Sequence, residues 1–203
     1  MLFRSQEAGF GYRGRRFSWE SMPDQFVLEK MHRFELAEAK QPLFVQYVLA
    51  SSHAPFDLIP TLVDDPTKLT DGANYIDAPA LPFPVTDGRV FENVAGYQAA
   101  IRYSLDSVSR YLAERLKDDS LIIVLGDHQP PLTVAAASRD KTVPIHVLSR
   151  DPRLLAPFAQ AGWAPGMTPA FRTPGTNMEN FMGLFVGSFS VAQAGAAAAP
   201  AQQ

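Results

Sequence analysis

Three side chains in this sequence have the types and placement that metal-assisted chemistry needs: His53, Asp127 and His128. Asp127 and His128 stand together just after the aliphatic run Leu121–Leu125. A carboxylate beside an imidazole suits a divalent ion such as Zn²⁺ or Mn²⁺ better than it suits an all-oxygen Ca²⁺ cage. A catalytic metal usually takes about three protein ligands and keeps one position open. The pair supplies two. His53 could be the third ligand, or it could stand one shell away as a proton donor or a hydrogen-bond partner to a bound anion. The competing reading is that Asp127 caps a turn and His128 packs beside it. Residue types alone leave the two open.

The elements that must position these groups are strands. Leu121–Leu125 has no period-2 alternation, as expected of a strand buried on both faces of a helix-covered parallel sheet. Gly126 ends the run, and Pro130 and Pro131, which have no N–H to give a ladder, prevent its continuation. A second apolar run, Leu43–Ala50, follows Pro42 and ends in Ser51, Ser52, His53, Ala54, Pro55 and Phe56. In open α/β sheets ligands bind beyond the carboxyl ends of the strands. If both strands lie in one parallel sheet, His53, Asp127 and His128 face the same rim.

Between them, Phe91 to about Lys117 carries the strongest helical signal, with Tyr97, Ile101, Leu105, Val108, Leu112 and Leu116 at three- and four-residue spacing as its apolar stripe. Strand, helix and strand in that order predict a βαβ-like crossover. Upstream, Ser21, Pro23 and Asp24 mark a helix start, with Asp24 as an acid near the positive dipole end. That helix is expected to reach about Lys40 and to bury Val27, Met31 and Phe34; His32 falls at its boundary. The proline-rich stretch Asp57–Arg89 reads as a wall or lid over the pocket, or as a plain surface excursion. Val143–Leu148 predicts a further strand, with His146 as a core or face residue rather than a ligand. Arg153–Gln160 predicts a short helix. Thr176 and Glu179 form a capping box ahead of a last helix built on Phe181, Met182, Leu184 and Phe185.

Composition bounds the rest. The chain has 203 residues, 46% hydrophobic and 19% charged, enough for a genuine core. A formal charge of −3 and a pI near 5.8 give no general attraction to nucleic acid or anionic lipid, so no nucleic-acid partner is expected. Zero cysteines exclude disulfides, thiolate ligands and a cysteine nucleophile. Arg4, Arg13, Arg15 and Arg16 have neither helical nor strand spacing and read as a solvated lead-in. No apolar run approaches the roughly 20 residues that span a bilayer, and MLFRSQEAGFGYRGRR lacks the apolar core of a signal peptide.

Gly126-Asp127-His128 after an aliphatic strand, the S-x-H-x-P-F-like Ser51–Phe56, and the Y-x-x-x-I-x-Y-S-L-D helix from Tyr97 together resemble the later half of the catalytic domain of the alkaline phosphatase/sulfatase superfamily. Gln129-Pro130-Pro131 after the pair fits its lipoteichoic-acid-synthase-like and phosphoethanolamine-transferase-like branch better than true arylsulfatases. The resemblance spans roughly Trp19 to Leu148. It implies that Asp127 and His128 bind the catalytic metal (Mn²⁺, Zn²⁺ or Mg²⁺), and that His53 is the catalytic and substrate-binding histidine touching the transferred phosphoryl or sulfuryl group. It also implies a location on the periplasmic or extracytoplasmic face of the membrane.

Family members carry an acidic ligand and a hydroxyl nucleophile in an earlier segment. No such segment precedes Ser21, so the expectation is an incomplete α/β fold, a mostly parallel sheet flanked by helices on both faces. Residues 1–190 would be the later part of a sulfatase-like catalytic domain and 191–203 a disordered alanine-rich tail, with the N-terminal catalytic segment and membrane anchor missing. The implied activity is metal-dependent hydrolysis or transfer at a phosphate or sulfate ester, possible substrates being membrane lipids or cell-envelope glycans. The alternative is a non-catalytic remnant or anion-binding module.

Overall fold

The computed structural model describes residues 7–17, 19, 22–37, 39–83, 89, 92–134, 141–168 and 175–190. Ser21 and the tail 191–203, on which two expectations rest, lie outside them. The chain divides into two compact units: Met1–Leu116 with Gln129–Asp140, and Lys117–His128 with Lys141–Gln203.

The first unit holds α1 (Glu7–Phe10), α2 (Asp24–Met31), a π-helical turn His32–Leu36, β1 (Leu58–Pro60), β2 (Ala80–Pro82) and α3 (Val94–Arg115). Strands β1 and β2 pair antiparallel with Ile59 opposite Leu81, and 3₁₀ turns at Pro66–Lys68 and Ala73–Tyr75 lie between them. The described part of this excursion contributes to the core of the first unit. Ile59, Leu69 and Tyr75 are buried, Leu69 and Tyr75 in one cluster with Phe10, Phe17 and Phe26, and Ile59 in a second with Phe56, Ala100 and Tyr103. The apolar residues spaced through its prolines are what anchor it.

Helices α2 and α3 pack on each other, but through faces that differ from the predicted stripes. On α3 the buried positions are Gly96, Ala100, Tyr103 and Ser107, while Leu105 is exposed. Three of those four are small, which lets neighbouring backbone come close. On α2 the buried residues are Asp24, Gln25, Phe26, Leu28 and Glu29, and Phe34 points outward. Three of the five are polar, and each has partners. Gln25 clamps the backbone of Val63, accepting from its N–H at 2.8 Å and donating to its carbonyl at 2.9 Å, and accepts from the Tyr75 hydroxyl at 3.1 Å. Glu29 meets Arg115 Nη2 at 3.3 Å. Buried polar groups persist when their hydrogen bonds are supplied. A periodicity that equates polarity with exposure misplaces this face.

Leu43–Ala50 does not form the expected strand. Among the described residues, positions 43–49 make no backbone–backbone hydrogen bond. Its side chains alternate as in extended chain, with Phe44, Gln46 and Val48 exposed and Val45, Tyr47 and Leu49 half-buried.

The second unit contains β3 (Ile122–Leu125), β4 (Ile145–Leu148), α4 (Pro152–Gln160) and α5 (Met178–Phe189). The predicted strands at 121–125 and 143–148 are thus present, but they pair antiparallel, Ile123 opposite Val147 and Val124 opposite His146. The parallel crossover is not formed among the described residues. Each sheet there has two strands, and both are antiparallel. An unbroken apolar run signals burial without specifying the direction of its partner, and β3 is only half-buried. Asp151 caps α4, accepting from Arg153 N–H at 2.9 Å. On α5, Phe181, Phe185 and Phe189 form an aromatic face, and Phe181 and Phe189 meet Phe158 of α4 at centroid distances of 6.4 and 6.2 Å. The N-cap of α5 is Asn177, one residue beyond the predicted Thr176, and its side chain makes no capping bond.

Candidate active site

Asp127 and His128 occur where the sequence places them, on the turn that leaves β3. Gly126 N–H still reaches Pro144 O at 3.3 Å, so the β3–β4 frame extends to the residue before the pair. Asp127 Oδ1 accepts the His128 backbone N–H at 2.9 Å, and Asp127 Oδ2 lies 3.5 Å from His128 Nε2. Their side chains are 87% and 72% exposed. The pair therefore puts a carboxylate oxygen and an imidazole nitrogen close together, open to solvent, at the end of a strand. That donor set fits two ligands of a hydrated divalent ion. Among the described residues no group of three or more His, Asp or Glu side chains converges as a metal cage.

His53 belongs to the first unit and is described with it. Its imidazole is exposed and stacks on Trp19, with ring centroids 4.3 Å apart and planes at 17°. Trp19 holds a left-handed backbone conformation, φ 53°, unusual for a bulky residue. His53 Nδ1 is 2.7 Å from Ala54 O. A carbonyl only accepts, so Nδ1 carries the proton and Nε2 of the neutral ring presents its lone pair outward.

The loop under His53 is braced at both ends. Before it, Asp24 Oδ1 accepts the N–H groups of Ala50 and Ser51, each at 3.0 Å, Asp24 Oδ2 accepts the Ser104 hydroxyl at 2.6 Å, and Ser51 Oγ accepts Asp24 N–H at 3.0 Å. Asp24 is only 1% exposed. Burial pushes its carboxyl above the usual carboxylate range, and the hydrogen bonds from Ser104, Ser51 and Ala50 pull the other way. After the loop, Asn93 Nδ2 donates to Phe56 O at 2.8 Å and to Phe83 O at 3.0 Å, while its Oδ1 caps α3 by accepting Gly96 N–H at 2.9 Å. Gly96 has no room for a side chain: a Cβ there would lie 2.0 Å from Phe56 O.

Sequence reasoning singled out His53, Asp127 and His128 as candidates and did not single out the residues packed around His53: Trp19, Asp24, Asn93 and Gly96. Asn93 and Gly96 had a readable signal, a capping residue three positions before a glycine in the first turn of a helix. The contact between Asp24 and residues 50–51 had none, because it joins positions far apart in the chain. His32 and His146 lie where expected: His32 is half-buried with Nδ1 3.2 Å from Tyr111 Oη, and His146 is half-buried within β4.

Among known protein families, the sulfatase model matches residues 3–159. That match spans most of the chain and sets its class, the alkaline phosphatase superfamily of α/β proteins, which hydrolyse or transfer sulfate or phosphate esters. Within that class, the chain belongs to the sulfatase family. No curated protein and no solved structure matches it.

Proposed function

We propose that this protein is a metal-dependent phosphate- or sulfate-ester hydrolase or transferase in which Asp127 and His128 hold the ion and His53 faces the anionic group being transferred. The reading is carried by one observation: Asp127 and His128 sit together, exposed, at the end of β3, in a chain of the sulfatase family. The bound ion would act as a Lewis acid on the ester oxygen and lower the pKa of a hydroxyl nucleophile. His53 is prepared for a different task. With Nδ1 committed to Ala54 O, Nε2 can take a proton when the ring is neutral, or donate to an anionic oxygen when it is charged. Gln129-Pro130-Pro131 supports the lipoteichoic-acid-synthase-like and phosphoethanolamine-transferase-like branch, and with it phosphate over sulfate and work at the extracytoplasmic face of a membrane. Among the described residues, no helix is long and apolar enough to cross a bilayer.

The test uses the full-length native protein loaded with Mn²⁺ or Zn²⁺ and assayed on bis(p-nitrophenyl) phosphate and p-nitrophenyl sulfate. Turnover of the phosphodiester that disappears in His128→Ala, together with loss of metal by elemental analysis in Asp127→Ala and His128→Ala, is the expected result. Metal content unchanged in both variants removes the ligand assignment. Absence of turnover with metal still bound makes the protein an anion-binding module instead.

A further inference from the structure

We infer that Asp24 is a positioning residue for His53: its buried carboxylate, reciprocally bonded to the Ala50–Ser51 turn and tied to Ser104, fixes the loop from which the imidazole projects. This rests on the reading of His53 as the group that faces the transferred anion. The sequence offers Asp24 a routine role, an acid in the first turn of a helix, for which exposure would be normal. Instead it is almost wholly buried and turned away from solvent. No cation pairs with it among the described residues; its carboxylate is satisfied by two backbone N–H groups and one hydroxyl. The contact is also mutual, since Asp24 N–H, one of the donors a helix start leaves without an intrahelical acceptor, goes to Ser51 Oγ.

The geometry transmits directly to the histidine. His53 N–H bonds Ala50 O at 3.0 Å, so the residue whose N–H Asp24 holds is also the one whose carbonyl anchors the His53 backbone. The Asp24 carboxylate holds the Ala50 N–H, and the Ala50 carbonyl holds the His53 N–H, so a single residue's backbone lies between the carboxylate and the histidine backbone. On the far side the same carboxylate reaches Ser104 in the middle of α3, so the loop is referenced to two helices at once. Removing the carboxylate would leave the buried Ser51 N–H and the half-buried Ala50 N–H without this acceptor, and the turn would move to find water. A displacement of about 1 Å at a catalytic group costs on the order of a hundredfold in rate.

The experiment reads the position of the ring apart from activity. In NMR spectra of the full protein, the His53 ring protons are expected to carry an upfield ring-current shift from the stacked Trp19. Asp24→Leu is expected to abolish that shift and to lower kcat on bis(p-nitrophenyl) phosphate about tenfold to a hundredfold with metal content unchanged. Asp24→Asn keeps an oxygen for both N–H groups and offers an amide to Ser104, so it is expected to restore the shift and most of kcat. Glu29→Gln, which disturbs a buried pair elsewhere on α2, should leave the His53 signal in place. Should Asp24→Leu not fold, amide exchange in the native protein decides: Ala50 and Ser51 N–H protected far beyond exposed amides supports the assignment. Free exchange at those two amides, or an unshifted His53 signal in Asp24→Leu, overturns it. If the native protein has no turnover at all, the catalytic reading of His53 falls while the NMR and exchange arms still decide what holds the ring.

Discussion

The two candidate groups of functional residues, one in each compact unit, are held in opposite ways. His53 is exposed, yet everything beneath it is buried and specified: Asp24 and Ser51 on one side, Asn93 and Gly96 on the other, and Trp19 against its face. Asp127 and His128 stand exposed just past the end of the β3–β4 ladder, with Asp127 Oδ1 accepting the His128 N–H. The first arrangement places one group without help from a ligand. The second leaves two donors that an ion itself can draw into shape, as expected where binding energy contributes to ordering. Stability is therefore expected to depend more on the buried residues under His53 than on the exposed turn that carries Asp127 and His128.

The sharpest way to break the comparison is Gly96→Ala. The new methyl would meet Phe56 O, a backbone atom that cannot rotate aside, so α3 or the loop must shift, and a loss of about 3 kcal/mol is expected from overpacking. Urea unfolding measures it. Next comes Asn93→Ala, which removes a helix cap and frees two carbonyls for a loss of about 1–2 kcal/mol.

A subtler effect concerns pH. Because burial raises the Asp24 carboxyl in the folded state, the native protein takes up a proton before the unfolded chain does. Keeping Asp24 ionised thus costs stability at neutral pH, and that cost is relieved as pH falls through the raised value toward the unfolded value near 3.8. Native protein should consequently gain on Asp24→Asn between about pH 7 and about pH 4, measured as the difference of their unfolding free energies. The opposite slope would mean that the hydrogen bonds outweigh the burial. Smallest of all, Asp127→Ala and His128→Ala should change stability in the absence of metal by no more than about 0.5 kcal/mol, since both side chains are exposed. A larger loss in either would erase the distinction between the two regions.

What was legible in the sequence follows the range of the interactions. Strand β3, helices α3 and α4, and the Asp-His turn are written in consecutive or near-consecutive residues, and periodicity with strand punctuation located them. The direction of strand pairing was not, because Leu121–Leu125 reads the same beside a parallel or an antiparallel neighbour. The rotated face of α3 was hidden for a related reason: Gly96, Ala100 and Ser107 are buried for their small size rather than their hydrophobicity. Asp24 reads only as an acid at a helix start, and Gln25 and Glu29 fall outside the predicted stripe of Val27, Met31 and Phe34, since nothing nearby in sequence reveals Ala50, Val63 or Arg115 as their partners. For the candidate site, the residue types were legible and the contacts that brace the His53 loop were not.

The stretch from Leu43 to Leu49 has one more physical consequence. It carries Phe44 and Val48 at 83% and 80% exposure, contains no charged residue, and makes no backbone–backbone hydrogen bond among the described residues. Short, uncharged, β-prone windows free of proline are the kind that stack into cross-β assemblies when chains meet at high concentration. A single lysine in place of Val48 would act as a gatekeeper there, keeping concentrated solutions clear while leaving the buried framework under His53 untouched.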